Sequence, residues 1–342
     1  MQTYLLKRLL LMIPTMLGIT VITFVIIRLA PGDPAAMRLG SGSSGMIGNQ
    51  QLASEIIEKT RAQFGLDRPM HEQYWLWLKR IATLDFGNSY RDNRPVMDRI
   101  WDPTLPISQR PLSVTLQLNL ISVFLIYLIA IPLGIYSSTH QYSFSDKFST
   151  TFLFILYSMP SFWVATILIL FLGGGDYWHW FPITGISSLD AEQLPFFDWL
   201  VDRVWHLVLP VFCLTYAGLA YVSRQMRAGM LETIRQDYIR TARAKGLSEN
   251  AVIFKHALRN SLIPIVTLLG FLLPAMLGGS VIIESIFTIP GMGQLGFDAI
   301  LSRDYPVVMA ISTIAAFLTL IGLLLSDICY ALVNPTISLE AQ

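Results

Sequence analysis

Runs of about 20 mainly apolar residues constrain this chain most, because a helix of that length crosses the hydrocarbon core of a bilayer. Six candidate spans occur in order: Leu9 to Leu29, Leu112 to Ile135, Phe148 to Leu172, His206 to Val222, Ser261 to Ile283 and Tyr305 to Val333. The fourth is the shortest, and the sixth carries a charge at Asp327. Of 342 residues, 53% are hydrophobic and 14% charged, against about 25% charged in soluble domains. The fold class that follows is an all-α membrane protein with six transmembrane helices. A formal net charge of +1 supplies no global attraction to nucleic acid, so a nucleic-acid partner is not expected.

Lys7 and Arg8 precede the first run, whose uncharged stretch from Leu9 to Ile27 exceeds the roughly 7–15 residues of a signal-peptide core. It is expected to stay as a span. Six spans put both termini on one side, and the loop cations say which. With the N-terminus cytoplasmic, the inner segments hold Lys7, Arg8, Lys147, Arg224, Arg227, Arg235, Arg240, Arg243, Lys245, Lys255 and Arg259, while the short outer loops hold Arg203 and Arg303. The positive-inside rule therefore makes both termini cytoplasmic, the long first loop being too long to count. Three parts follow: 1–29 with the first span, a large extracytoplasmic loop at 30–111, and a membrane core at 112–342 that includes a basic cytoplasmic loop at 224–260.

Within the outer loop, Gly40 to Gly48 reads as a flexible linker or surface loop. Ala53 to Phe64 has the mixed charges of a solvated helix. His71 to Ala82, with Tyr74, Trp75, Trp77 and Leu78, reads equally as an interfacial amphipathic helix or as a helix packed on the bundle. Pro14, Pro132, Pro160, Pro210 and Pro274 fall within apolar runs and permit kinks. Gly278 and Gly279 suit close helix contact. Cys213 and Cys329 lie in apolar runs without metal-ligand spacing and read as small buried hydrophobes, so no metal site is expected.

The basic loop reads as two helices around a break. Ile234, Tyr238, Thr241 and Ala242 fall near one face, and Gly246-Leu247-Ser248 offers a helix stop and a new N-cap with Glu249 behind it. On composition alone these cations serve equally as positive charge near anionic headgroups.

DYIRTARAKGLS (Asp237 to Ser248) and KHALRNSLIPIV (Lys255 to Val266) resemble the ATPase-docking loop of ATP-binding-cassette import permeases of the dipeptide, oligopeptide and nickel group. RLAPGDPA (Arg28 to Ala35), FGLDRPMHEQYWLWL (Phe64 to Leu78), DFGNS (Asp85 to Ser89), HLVLP (His206 to Pro210), IFTIPGMGQL (Ile286 to Leu295), RDYPVV (Arg303 to Val308) and YALVNPTISL (Tyr330 to Leu339) resemble that group in the same order. The chain departs from the broad importer pattern at Arg240-Thr241-Ala242, where that pattern has Glu-Ala-Ala, and at Leu258-Arg259, where it has Leu-Pro. Trp101 to Arg110 fits the group poorly.

The resemblance implies a bacterial inner-membrane permease, B-type, that imports peptides or similar small solutes. Its partners would be a second homologous permease, two cytoplasmic ATPase subunits, an extracytoplasmic solute-binding protein and membrane lipid. Asp237, Arg240, Thr241, Ala242, Arg243, Lys245, Gly246 and Leu247 would form the ATPase-coupling surface, with a short helix around Ala242 to Ala251 in the ATPase groove. Glu284, Phe287, Pro290, Gly291 and Gly293 form a turn-rich connector between the last two spans that reads equally as an outer gate or binding-protein contact and as a plain loop with a helix-capping carboxylate. The sequence has no Gly-x-x-x-x-Gly-Lys-Ser/Thr loop, so no catalytic site or cofactor is assigned to this chain, and ATP and Mg belong to partner ATPases. A protease reading of Gly173-Gly174-Gly175-Asp176 lacks a second intramembrane carboxylate at matching depth. Asp327 is expected to pair structurally.

Overall fold

A computed structural model describes the chain except for residues 1, 30–31, 37–49, 175–176, 270–275, 277 and 334–342. The Gly40 to Gly48 run, Asp176, Pro274 and the Cys329 side chain lie outside the described residues. Helices dominate: α1 (Gln2–Leu29), α2 (Gln50–Gln63), α3 (Met70–Ala82), α4 (Val96–Ile100), α5 (Pro111–Thr139), α6 (Phe144–Ser158), α7 (Ser161–Leu172), α8 (Phe196–Ile234) and α9 (Asp237–Ala244). They continue with α10 (Glu249–Ala251), a π-helical turn (Val252–Ala257), α11 (Leu258–Ser261), α12 (Ile263–Leu269), α13 (Val281–Ile286), α14 (Met292–Leu301) and α15 (Tyr305–Val333).

Among the described residues four helices, α1, α5, α8 and α15, are long and apolar enough to cross a membrane, and the α6–α7 pair makes a fifth if its two arms form one span. That pair is bent by 96°, where Phe148 to Leu172 reads as one run in the sequence. Pro160 holds Met159 in an extended conformation and opens the second arm. The carbonyl of Met159 is recovered by the Tyr216 hydroxyl at 2.7 Å, the repair a broken helix needs in lipid. Of the expected fifth run, Ser261 to Ile283, residues 261–269, 276 and 278–283 are described, and they hold the last residue of α11, all of α12 and the start of α13.

The fourth run is longer than its hydropathy suggests. His206 to Val222 is the middle of α8, a helix of 39 residues whose polar ends hide its length. Arg224 and Arg227, expected in the cytoplasmic loop, stand on this helix. Arg227 donates to Asp146 at 3.0 Å and to Ser137 at 2.9 Å, and Ser137 also donates to the buried Asp146. These contacts tie α8, α6 and α5 together. In its most apolar window α8 is 61% buried, against 11% for α1, so α8 is the central helix and α1 a peripheral one.

α5 and α8 form the most extensive helix pair. One end of the core gathers Val114, Leu118, Val164, Leu207, Val211, Tyr216, Ile283 and Phe287. The other gathers Ala130, Val222, Met226, Met230, Ile239, Val252 and Ile265. α1 runs antiparallel to α15, with Arg8 paired to Asp327 at 3.1 Å at one end and Phe24 packed with Tyr305 and Met309 at the other. Asp327 therefore has the structural partner expected of it.

The described residues 74–100 of the outer region dock on the bundle and its last connector. Trp77 is buried against Phe24, and Tyr74 bonds Thr20 at 3.0 Å, while Trp75 faces outward. Packing on the bundle thus positions α3. Phe86, Val96 and Ile100 pack on Met292, Ala299 and Val307. At the join, Asp304, 1% exposed, accepts from the Ser89 hydroxyl and from the Tyr90 amide at 2.8 Å. The DFGNS and RDYPVV motifs meet there. Asp304→Ala leaves both donors buried and unmatched and is expected to destabilise the docked region by about 2–6 kcal/mol. Limited proteolysis should then cut within 50–100 at temperatures where the wild-type chain resists; equal resistance would remove Asp304 from this role.

Candidate functional site

Two residues, Arg235 and Gln236, separate α8 from α9, so the basic segment starts on a rigid support. The break at 235–236 changes the helix axis and takes Ile234 out of register with the next turn. Ile239 and Ala242, rather than Tyr238 and Thr241, are the buried residues of α9, and they pack into the core with Met226, Met230 and Val252.

The helix closes as the glycine predicts. Gly246 lies at φ +78°, the Gly246 amide donates to Arg243 O at 2.9 Å, and the Leu247 amide donates to Ala242 O at 3.4 Å. These are the two bonds of a Schellman stop. Ser248 then caps α10, accepting from the Ala251 amide at 3.4 Å. Arg243 spans the turn to Glu249 at 2.6 Å, and its hydrogen bond and charge hold the Glu249 carboxyl below the usual carboxylate range.

The sequence-predicted coupling residues sort into two sets. Asp237, Arg240, Thr241, Arg243, Lys245, Gly246 and Leu247 are exposed along one ridge, while Ala242 is buried within the chain. Ala242 therefore seats the turn rather than admitting a partner. The short helix expected around Ala242 to Ala251 is instead the end of α9, a turn and the start of α10, because φ at Gly246 ends the first helix. Exposed Tyr238, Leu247 and Phe254 add apolar area to the cationic ridge.

On the other candidate surface, Glu284 is 1% exposed. Its Oε1 accepts from Thr115 Oγ1 at 3.0 Å and from the Ser280 amide at 3.3 Å, and its Oε2 accepts from the Gln294 amide at 2.9 Å. Thr115, fully buried, in turn accepts from the Met292 amide at 2.7 Å. A Cβ at Gly279, Gly291 or Gly293 would come within 2.4–2.9 Å of this carboxyl group, so the glycines of the motif let the backbone close around it. Phe287 is 1% exposed, and its carbonyl accepts from the Gly185 amide at 2.8 Å.

Glu284, Phe287, Gly291 and Gly293 are thus interior residues that fix the connector's shape; of the five predicted outer residues, Pro290 alone is exposed. Thr115, Ser280 and Gln294 escaped the sequence reading because their link to Glu284 is tertiary. Thr115→Val keeps the shape but strands the Met292 amide and one Glu284 oxygen contact, with an expected loss of about 2–4 kcal/mol. Thr115→Ser should restore most of it. Thermal unfolding in detergent tests this, and equal melting of the valine and serine variants would refute the role of the hydroxyl.

Residues 130–339 match the sequence model of the family described as binding-protein-dependent transport system inner membrane component, and residues 1–117 match its N-terminal counterpart. The chain is 42% identical over 338 residues to the oligopeptide transport system permease protein AppB of Bacillus subtilis (strain 168), covering 98% of this chain and 99% of that one. It is 36% identical over 377 residues to the inner membrane ABC transporter permease protein YejB of Escherichia coli O157:H7, with both chains fully covered. With the dipeptide transport system permease protein DppB of Escherichia coli (strain K12) it shares 33% identity over 353 residues, 98% of this chain and 99% of the other.

Proposed function

Because the chain belongs to the binding-protein-dependent transport system inner membrane components, permease subunits embedded in the cytoplasmic membrane, we propose that it forms half of a translocation path for short peptides and is driven by ATPases docked on its basic turn. The printed names of its relatives, oligopeptide and dipeptide permeases, support the cargo class. The other half of the path belongs to a second, homologous permease. Two cytoplasmic ATPase subunits bind the ATP and Mg, and an extracytoplasmic solute-binding protein delivers cargo. Ser261 to Ile283 supplies the span that completes six, and both termini are cytoplasmic.

One observation carries the docking assignment: an exposed cationic turn, Arg243 to Leu247, seated on the core by Ile239 and Ala242. A turn held this firmly transmits a push from an ATPase to α8 and α9 instead of yielding to it. Each ATPase state then favours a different packing of the spans.

A Cβ at Gly246 would meet open space, although its φ disfavours other residues. Gly246→Arg is expected to insert normally yet lower ATPase co-purification and peptide uptake about tenfold or more, equivalent to about 1.4 kcal/mol of docking energy. Gly246→Ala carries the same backbone strain without the bulk and should retain most uptake. Normal uptake by the arginine variant at equal expression would sink the assignment.

The orientation has its own test. With the native cysteines replaced, Leu247→Cys should be shielded from a membrane-impermeant maleimide in intact cells, whereas Leu189→Cys, fully exposed in the α7–α8 loop, should be labelled once the outer envelope is permeabilised. The reverse pattern would invert the topology.

A further inference from the structure

α1 is apolar on nearly every face: Leu9, Leu10, Ile13, Ile22 and Ile26 are all exposed. In a membrane protein such a helix has hydrocarbon as its solvent. Against α15 it packs closely at the Phe24 end. At the Arg8 end the two helices leave a crevice of about 70 Å³, lined by Arg8, Leu11, Met12 and Thr15 of α1 and by Leu320, Leu323 and Leu324 of α15.

The lining decides the filling. Beyond Arg8 at the mouth the walls are apolar, Thr15 spending its hydroxyl on Leu11 O at 2.8 Å, so the inner part offers a water little to hold, and apolar gaps of this kind stay dry. A gap without atoms forfeits dispersion energy on both walls. The fitting occupant is a flexible apolar chain from the bilayer. At the mouth, Arg8 is paired with Asp327 at 3.1 Å and 45% exposed, and Lys7 beside it is exposed. Lys7, Arg8 and Asp327 together leave a net positive charge where the crevice opens. Basic sites between membrane helices favour anionic headgroups.

We propose that the crevice between α1 and α15 is a phospholipid site, with one acyl chain between Leu11, Met12, Leu320, Leu323 and Leu324 and an anionic headgroup on Lys7 beside the Arg8–Asp327 pair. The lipid completes the packing of a helix that the chain itself holds through one neighbour and the outer region.

Native mass spectrometry of the full chain, released from nanodiscs containing equal dioleoylphosphatidylglycerol and dioleoylphosphatidylcholine, tests the site. Wild type is expected to retain one phosphatidylglycerol through activation that strips the annular lipid. Leu323→Trp, which fills the crevice, should lose it. Lys7→Gln changes an exposed side chain and should fold normally, retain a lipid and lose about fivefold of its preference for phosphatidylglycerol, the size of one lysine's attraction to an anionic surface. Complete loss of lipid from wild type, equal retention by Leu323→Trp, or no headgroup preference in wild type would each overturn the proposal.

Discussion

A carboxyl group buried without a facing cation is costly unless both its oxygens are hydrogen-bonded, and Glu284 meets that demand with donors from three parts of the chain. Thr115 comes from the first turns of α5, Ser280 from the entry to α13, and Gln294 from the first turn of α14. The Met292 amide feeds the Thr115 hydroxyl, which feeds the carboxylate, so donors are aligned in series and reinforce one another. The connector between α13 and α14 cannot shift against α5 without stranding several of these groups at once. Phe287, Gly185 bonded to it, and Phe86, Val96 and Ile100 packed on Met292 are all placed relative to that fixed point.

The opposite face relies on the same kind of economy at a different polarity. Asp146 is buried at the start of α6, and Arg227 and Ser137 reach it from α8 and α5. The basic turn after α9 rests beside this knot, Ile239 and Ala242 packing on Met226 and Met230 of α8. Buried carboxylates thus join segments distant in sequence on both faces, Glu284 and Asp304 on one and Asp146 on the other, and α5 and α8 run between them.

Much of this was legible in the chain. Apolar run length marked the membrane helices, because a helix in lipid satisfies its own backbone and needs no distant partner to be recognised. Gly246-Leu247-Ser248 gave the helix stop and restart, since that chemistry is local. Hydropathy failed where polarity and helicity part company: α8 continues through Arg203 at one end and Arg227 at the other, and a window that averages charge stops at His206 and Val222. Pro160 was visible as a kink, but its 96° bend depends on how α7 packs against α8. The face assigned to Tyr238 and Thr241 was off by one residue, about 100° around the helix, because a two-residue break reset the register. The pairs Ser89–Asp304, Thr115–Glu284 and Asp146–Arg227 join residues 215, 169 and 81 positions apart, and no local pattern encodes them.

The length of α8 has a mechanical meaning. At 1.5 Å per residue its 39 residues reach about 58 Å, against a hydrocarbon core about 30 Å thick. One unbroken rod thus projects into the water on both sides, with Pro210 near its middle. Pivoted there, a tilt of about 10° would carry the Ile234 tip about 6 Å and the Phe196 tip about 4 Å sideways in opposite directions. A displacement imposed beneath the membrane would then arrive above it at a little over half its amplitude, with its direction reversed, and no intervening loop to absorb it.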